Sequence, residues 1–430
     1  MTNKQINNQI ILGCVADDFT GASDAASFLA KQGIKTILFN GVPKHEEDLQ
    51  GCAAVVIALK SRSVPANEAV DSTLQAFKWL EKHHTKHFYF KYCSTFDSTP
   101  KGNIGPVADS VLEHWNLNYT LLCPALPVNK RIVKDGVLIV DDKPIAEGHM
   151  ANHPLNPIWD SRIDLLMKPQ SKYPCMIIDD ELLHQPKEQI IAKVNEFGKD
   201  KQHFYIIPDY KNEADGQKIA EVFGNIRFIT GGSGILAHLA DKIKANYDCE
   251  TSLSYPSYTS GKALALSGSC SKATCKQCNI YAQNHVTKAL YPSELLSGKV
   301  TVDSLNRFIQ EHQNEEILLY SAGATDSNSR IYDSKETERK ASKILETTMA
   351  TLAKKAYDNG YTRIIVAGGE TSGAVMLALN FDAFIIGESI DPGVPIMIPL
   401  RNTNIRLALK SGNFGADDFF AKAFKMTKEC

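Results

Sequence analysis

Two adjacent carboxylates, Asp17 and Asp18, stand between an apolar run and a segment with helical spacing. The run before them, residues 9–14, is apolar enough to predict a buried strand. A threonine and a glycine follow the acids, and Ala, Phe and Leu then recur at helical spacing over residues 25–32. In an open α/β sheet such a turn lies at the carboxyl end of a strand, where ligands bind. The pair therefore predicts a site for a polar ligand or a metal, although one Asp alone would be explained as a helix cap.

Further polar residues follow two other predicted strands of the first half. Basic side chains suit a carboxylate, whereas Asp and Ser suit hydroxyl groups. A single Lys or Arg is more often a solvated surface charge, but recurrence at several strand ends favours a binding site for a small polyhydroxy acid. These residues are Lys60, Ser61, Arg62, Lys91, Ser94, Asp97 and Ser98.

The second half contains three glycine- or serine-rich loops after short apolar strands, at residues 267–269, 368–373 and 411–415. Glycine lets backbone N–H groups approach a phosphate, and a helix N-terminus adds positive potential. Neither a Walker lysine nor a G-x-G-x-x-G pattern is present. The loops therefore predict a nucleotide held by backbone and hydroxyl contacts rather than by a lysine clamp. Phe414 fits this site and the core equally well.

Two other motifs have a structural interpretation that we favour. The G-G-S-G run at residues 231–234 could bind an anion, but close packing of a helix on the sheet explains it as well. Cys270, Cys275 and Cys278 match part of a ferredoxin pattern, yet a cluster needs a fourth thiolate and zinc sites usually need a second C-x-x-C. Coincidental thiols on a helix are the simpler interpretation. His149 and His153, near a predicted hairpin, are each expected to be packed or surface residues.

Strand-like and helix-like segments alternate along most of the chain, which predicts an α/β fold. We expect two domains, each a mostly parallel sheet flanked by helices, with a β-hairpin centred on an Asp-Gly pair inserted in the N-terminal domain over residues 131–145. Residues 248–261 are rich in Ser, Thr, Tyr and Pro without periodicity, and predict a linker. The expected domains are thus residues 1–247 and 262–430.

The composition excludes several classes of protein. The 430 residues carry a formal net charge of −2, whereas a general nucleic-acid binder needs a basic face. Hydrophobic residues make up 43% and charged residues 22%, which is ordinary for a globular protein. No run approaches the roughly 18 apolar residues of a membrane span, and the polar N-terminus lacks the apolar core of a signal peptide. We expect a cytoplasmic protein.

Taken together, the motifs resemble those of the four-carbon acid sugar kinases, and most of all the 3-oxo-tetronate kinase branch of that family. The resemblance extends from Ile11 to about Phe424. The segments that carry it are specific together rather than singly: A-D-D-F-T-G-A-S-D (16–24), L-K-S-R-S (59–63), K-Y-C-S-T-F-D-S-T (91–99), G-N-I-G-P (102–106), C-P-A-L-P-V-N-K-R (123–131), H-P-L-N-P (153–157), G-G-S-G (231–234), L-S-G-S-C-S (266–271), A-G-G-E-T-S-G (367–373), I-D-P-G-V-P (390–395) and L-K-S-G-N-F-G (409–415).

The resemblance implies an acid-sugar-binding N-terminal domain and an ATP-binding C-terminal domain. It also implies transfer of phosphate from ATP, with Mg²⁺, to the C4 hydroxyl of 3-dehydro-L-erythronate or 3-dehydro-D-erythronate. The family pattern for ATP falls on Ser267 or Ser269, on Gly368, Gly369, Glu370 and Thr371, and on Gly412.

For the chemistry we expect Asp17 or Asp18 to orient the acceptor hydroxyl, with Asp97 as a second candidate. Arg62 and Lys91 are expected to hold the carboxylate, with Ser94 beside them. Three alternatives stay open: a D-threonate or D-erythronate kinase, a nicotinamide-dependent hydroxy-acid oxidoreductase, and a non-catalytic acid-sugar sensor. The sequence predicts neither a nucleic-acid nor a membrane partner, and it leaves a homodimer open.

Overall fold

The computed structural model describes residues 10–43, 49, 51–152, 157–247, 255–322 and 335–429. The side chains of His149, Asn152, Lys335 and Glu338 are outside this description, as is the predicted histidine His153. The chain divides into two compact units, Met1–Ser252 and Leu253–Cys430. Each unit is an α/β layer structure, as the alternation of segments predicted.

The first unit is built on a parallel sheet in the order β2-β3-β1-β4-β11-β5-β10-β9. Its central strands are almost entirely buried and consist mostly of apolar residues, as expected when helices cover both faces. The strands are β1 (Leu12–Ala16), β2 (Thr36–Asn40), β3 (Ala54–Ala58), β4 (His87–Lys91), β5 (Tyr119–Cys123), β9 (Cys175–Ile178), β10 (Phe204–Pro208) and β11 (Phe228–Gly231).

The helices of this unit bury one apolar stripe each. Phe77 of the second helix, for example, packs edge-on against Phe88 and Phe228 of the sheet. The helices are α1 (Phe19–Lys31), α2 (Ala66–Lys82), α3 (Ile104–His114), α4 (Ile163–Met167), α5 (Asp180–Leu183), α6 (Lys187–Gly198), α7 (Glu213–Phe223) and α8 (Gly234–Asn246).

The inserted hairpin is confirmed. Strands β6 (Arg131–Lys134) and β7 (Val137–Val140) pair antiparallel around Asp135 and Gly136, whose φ angles of 52° and 74° are those of a tight hairpin turn. A short third strand, β8 (Lys143–Pro144), extends this small sheet.

The second unit has the strand order β13-β14-β12-β15-β18-β17-β16. Its first five strands are parallel, and β17 pairs antiparallel with both β18 and β16. The strands are β12 (Lys262–Ser267), β13 (Thr287–Leu290), β14 (Glu316–Ser321), β15 (Tyr361–Ala367), β16 (Ala383–Asp391), β17 (Val394–Pro399) and β18 (Arg406–Lys410). The helices are α9 (Lys272–Ala282), α10 (Pro292–Leu296), α11 (Val302–Glu311), α12 (Lys335–Asp358), α13 (Gly369–Leu379) and α14 (Phe419–Thr427).

Some predicted boundaries were wrong. The first strand, predicted over residues 9–14, lies at Leu12–Ala16, and the helix after it begins at Phe19 because Asp18 caps it. The sequence after the turn at residues 268–271 predicts a helix to about Lys288, but α9 ends at Ala282 and the edge strand β13 follows. That strand is half exposed and therefore lacks a continuous apolar run.

Part of the predicted linker packs within the second unit. Ser257 is buried, and its Oγ accepts a hydrogen bond from the Glu388 N–H at 2.8 Å. Thr259 donates its N–H to the Thr427 carbonyl at 2.9 Å. Residues 248–254 of the predicted linker lie outside the described part of the chain. Among the helices that the structure describes, none is long and apolar enough to cross a membrane.

Candidate active site

Each sheet has a point where the strand order reverses, and the predicted ligand residues lie there. In the first unit β3 and β4 flank β1, so that the chain leaves the carboxyl end of β1 beside that of β4. In the second unit β14 and β15 flank β12 in the same way. A crevice opens at such a reversal in α/β sheets and is the usual ligand site.

An arginine joins the two aspartates that follow β1. Arg62 donates from Nε and Nη2 to the two carboxylate oxygens of Asp17, at 3.0 and 2.8 Å. Its Nη2 also lies 2.9 Å from Oδ1 of Asp18. This fork-to-carboxylate geometry fixes both partners. The predicted substrate arginine is therefore engaged by the predicted catalytic acids.

The two aspartates differ in exposure. The Asp17 side chain is 7% exposed, and burial raises its pKa while the Arg62 charge opposes that shift. The Asp18 side chain is 30% exposed. Its Oδ1 accepts a hydrogen bond from the Gly21 N–H at 2.7 Å and caps α1. The contacts with Gly21 and Arg62 therefore use the same carboxylate oxygen. Capping and ligand binding are thus compatible at Asp18.

A second group of charges lies beside this pair. Lys91, at the end of β4, is buried, and its Nζ donates to the Tyr92 carbonyl at 2.8 Å. Asp24 on α1 is also buried; it accepts a hydrogen bond from the Ser233 hydroxyl. Burial raises the pKa of Asp24, whereas Lys91 and Arg131 lower it through their charges. Two cations therefore surround one carboxyl group.

Arg131 also reaches a predicted substrate residue. Its Nη1 donates a hydrogen bond to the hydroxyl of Ser94, which is buried on the loop after β4. Arg131 begins β6, so the inserted hairpin brings this guanidinium to the carboxyl edge of the main sheet. Lys91, Ser94, Asp24 and Arg131 form what we call the cationic group.

The other predicted polar residues have mixed surroundings. Asp97 lies on the same loop as Ser94, and its buried Oδ1 has no hydrogen-bond partner among the described residues. Ser98 donates to Oε1 of Gln170 at 3.0 Å and so joins that loop to the segment that follows α4. Ser61 is buried, whereas Lys60 is exposed.

The G-G-S-G run at residues 231–234 has a packing role. A Cβ on Gly231, Gly232 or Gly234 would lie 2.3–2.4 Å from the carbonyl oxygens of residues 123–125. The run therefore lets α8 and β11 approach the backbone after β5 more closely than any side chain would permit. This observation supports the structural interpretation.

Three loops of the second unit meet at its reversal point. The Gly268 N–H donates to the Ala367 carbonyl at 3.0 Å, and the Gly368 N–H donates to the backbone carbonyl of Lys410 at 2.8 Å. Gly368 has φ +115°, and a Cβ there would lie 3.0 Å from the Ser269 nitrogen. A Cβ on Gly412 would lie 2.7 Å from the Ser269 hydroxyl. The glycines are needed because the loops touch one another.

The predicted ATP residues divide into exposed and supporting ones. Gly369 and Glu370 are exposed at the first turn of α13, whereas Thr371 is buried against Gly268. Ser267 is buried within β12, and Ser269 lies on the turn beside Gly368 and Gly412. Ser269 is thus the more accessible serine of the pair. Phe414 packs partly buried against the hydrophobic core of the unit.

The three clustered cysteines do not form a metal centre within the described residues. Cys278 is buried and donates its Sγ to Ser267 at 3.7 Å, while Cys270 is exposed. The one group there whose ligand atoms could share an ion is Asp180, His184 and Asp215, within 4.8 Å of one another in the first unit. Lys211 already pairs with Asp180 at 2.5 Å.

Comparison with known proteins decides the family. A family model for a sugar-binding N-terminal domain matches residues 12–239, and one for a nucleotide-binding C-terminal domain matches residues 264–420. A protein from Actinobacillus succinogenes named 3-oxo-tetronate kinase is 38% identical over 416 residues, which cover 96% of this chain and 99% of that protein. The chain belongs to the four-carbon acid sugar kinase family. It is therefore a phosphotransferase, which favours the kinase hypothesis over the oxidoreductase and sensor hypotheses.

Other relatives of this acid sugar kinase agree. A 3-oxo-tetronate kinase from Salmonella typhimurium is 39% identical over 416 residues, covering 96% of this chain and 98% of that protein. Among solved structures, one from Salmonella typhimurium LT2 superposes with a TM-score of 0.87 at 38% identity and covers 97% of this chain and 99% of that one. The structure of Haemophilus influenzae protein HI1011 superposes with a TM-score of 0.77 at 37% identity, and the match covers 96% of this chain and 99% of that one.

Sequence reasoning assigned no role to three residues of the kinase that the structure places at these sites: Asp24, Arg131 and Lys410. Asp24 and Arg131 lie within the family segments at residues 16–24 and 123–131, but α1 and the hairpin determine that both side chains reach the same edge of the sheet. Lys410 ends β18, where a lysine between Leu409 and Ser411 resembles a surface charge. The signal that could have found all three is the recurrence of charge inside otherwise small or apolar motifs.

Proposed function

We propose that the enzyme transfers the terminal phosphate of ATP to the C4 hydroxyl of 3-dehydro-L-erythronate or 3-dehydro-D-erythronate. The observation that carries this proposal is the match to proteins named 3-oxo-tetronate kinase along 96% of the chain. The use of ATP fits a cytoplasmic enzyme. The acid sugar would bind to the N-terminal domain, residues 1–247, and ATP to the C-terminal domain, residues 262–430.

The nucleotide would bind at the reversal point of the second sheet. Ser269, the turn at Gly368 and Gly369, and Gly412 offer backbone N–H and hydroxyl donors without side chains that block approach. The N-terminus of α13 adds positive potential there. When bound, Mg²⁺ neutralises charge on the phosphates. Glu370, an exposed carboxylate among these residues, offers the hard oxygen donor that Mg²⁺ prefers.

The acid would bind at the reversal point of the first sheet. Two neighbouring clusters of charged side chains lie there, one with a net negative charge and one with a net positive charge. Asp17, Asp18 and Arg62 together carry one excess negative charge, and this part suits a hydroxyl donor. The cationic group carries one excess positive charge even with Asp24 ionised, which matches a single substrate carboxylate. We therefore propose that Lys91, Ser94 and Arg131 receive the carboxylate, while Arg62 holds the aspartates.

Asp18 is the proposed catalytic base. It is the more exposed of the two acids, and its recorded contacts leave Oδ2 to accept a proton from the C4 hydroxyl. Asp17 would keep Arg62, and through it Asp18, in place. Asp97 stays the second candidate, because one of its oxygens is buried without a hydrogen-bond partner in the part of the chain that the structure describes.

The test is an ADP-release assay with Mg-ATP against both 3-dehydro-erythronates, D-threonate, L-threonate and D-erythronate, with identification of the phosphorylated position in the product. We expect selective turnover of the oxo acids and a 4-phosphate product. Turnover of D-threonate or D-erythronate instead would contradict the proposed substrate and support the alternative branch of the family. An absence of turnover on every acid would contradict the proposed function.

A further inference from the structure

A lysine lies buried beneath the proposed nucleotide loops. Lys410 is 0% exposed, although it ends β18 at the carboxyl edge of the sheet. Its Nζ donates to the Thr274 hydroxyl at 2.8 Å and to the carbonyls of Ser411 and Gly412, both at 3.1 Å. An ammonium group has three donors, and here each has a neutral acceptor. The geometry is therefore that of a charged lysine.

The contacts of Lys410 fix the direction of two consecutive peptide groups. The Gly412 carbonyl accepts from Lys410, from Thr274 at 2.6 Å and from the Ser271 hydroxyl. In a trans peptide the N–H points opposite to the carbonyl. Because the carbonyls of Ser411 and Gly412 face the buried ammonium, the N–H groups of Gly412 and Asn413 point away from it. Successive N–H groups of this kind form an anion-binding concavity.

The charge of Lys410 has no direct counter-ion among the described residues. The charged or titratable groups that act on it are Cys275 and Cys278 of α9 and Asp391 at the end of β16. Asp391 is itself held by Lys422 of α14, at 2.6 Å, and by the Ala416 N–H. Burial lowers the pKa of Lys410 to about 8, whereas burial raises that of the Cys278 thiol to about 12. The charged lysine would thus gain from a nearby anion.

We propose that Lys410 is the positioning residue of the phosphate-binding loop, which turns the N–H groups of Gly412 and Asn413 toward the phosphates and supplies their buried counter-charge. The inference rests on the proposed nucleotide site in the second unit. Nucleotide binding is then linked to the protonation of Lys410. Bound phosphate raises the pKa of this lysine, so affinity falls as the pH rises through about 8.

The wild-type enzyme tests the linkage by comparing ADP with adenosine, which has no phosphate. Both dissociation constants are measured from pH 7.5 to 9.5, where the ADP phosphates stay ionised because their last pKa is about 6. We expect the ADP constant to rise by about tenfold over this range and the adenosine constant to stay level. Calorimetry at pH 8 in two buffers of different ionisation enthalpy should show uptake of up to about half a proton with ADP.

Lys410→Met tests the residue, with Lys276→Met as the matched control because Lys276 is an exposed lysine of α9 that pairs with Asp417. We expect Lys410→Met to bind ADP about tenfold more weakly at pH 7.5, to lose the pH dependence, and to keep its adenosine affinity. An equal loss of both ligands, or an unchanged pH profile in the variant, would overturn the inference. An ADP dissociation constant of the wild type that does not change between pH 7.5 and 9.5 would by itself overturn the inference. A wild type that binds ADP in none of these conditions would instead contradict the proposed nucleotide site itself.

Discussion

The acid site and the nucleotide site that we propose at the two reversal points of this kinase differ in the groups they offer to an anionic ligand. In the first unit the charges are on side chains and are arranged by ion pairs, such as Arg62 with Asp17 at 2.8 Å. In the second unit the groups proposed to bind the nucleotide are mostly backbone N–H groups, and glycines allow the loops to approach one another closely. Side-chain charge can distinguish one small acid from another, whereas backbone donors suit the phosphates common to every nucleotide. The predictions below test this contrast.

The largest effect is expected at Asp18. Replacement by Asn keeps the size of the side chain and an oxygen to cap α1, but it removes the proposed base. We expect kcat to fall by about 10²- to 10⁴-fold, because that is the usual contribution of a general base. The ATP KM should change little. Turnover close to the wild-type rate would transfer the role to Asp97.

A smaller effect is expected at Arg131. Arg131→Met removes a proposed carboxylate donor, and hydrogen bonds to charged groups contribute about 1.5–3 kcal/mol. The KM for the acid should therefore rise by about 10- to 100-fold while the ATP KM stays level. Lys130→Met, which removes an exposed cation from the same turn, is the matched control. Equal effects of the two substitutions would argue against a specific carboxylate contact.

In the second unit, Gly268→Ala should affect the nucleotide alone. The added Cβ would lie 2.0 Å from the Thr371 hydroxyl, so the loops must separate. We expect the ATP KM to rise by about tenfold, the equivalent of about 1.4 kcal/mol. Gly373→Ala is the control, because a Cβ there has open space and alanine favours the helix. If Gly268→Ala changed the KM for the acid instead, the contrast between the two regions would fail.

The smallest kinetic effect is expected at Gly231. A Cβ there would lie 2.3 Å from the Cys123 carbonyl oxygen, so Gly231→Ala should lower the free energy of unfolding by about 1–3 kcal/mol. Both KM values should remain near those of the wild type in the folded variant. Gly148→Ala, with its nearest neighbour at 3.5 Å, should have no effect on thermal unfolding. A selective loss of ligand affinity in Gly231→Ala would identify this run as a binding loop.

The sequence predicts the strands whose apolar runs are continuous. It does not predict a half-exposed edge strand, or the position of a side chain that depends on contacts with residues far away in the sequence. The apolar run Tyr119–Cys123 predicts strand β5 with its observed ends, because the strand is covered on both faces. The edge strand β13 has one buried residue and gives no such signal. Likewise Asp18 was found by its neighbours in the chain, whereas Arg131 and Lys410 depend on hairpin and loop contacts that span long distances in sequence.

The most direct test of separate acid and nucleotide sites is a paired kinetic measurement on Arg131→Met and Gly268→Ala, in which the KM for the acid and the KM for ATP are determined for each variant. The account predicts that Arg131→Met raises only the KM for the 3-dehydro-erythronate and that Gly268→Ala raises only the KM for ATP. If each variant raised both constants to the same extent, the two reversal points would not be separate acid and nucleotide sites, and the account would be contradicted.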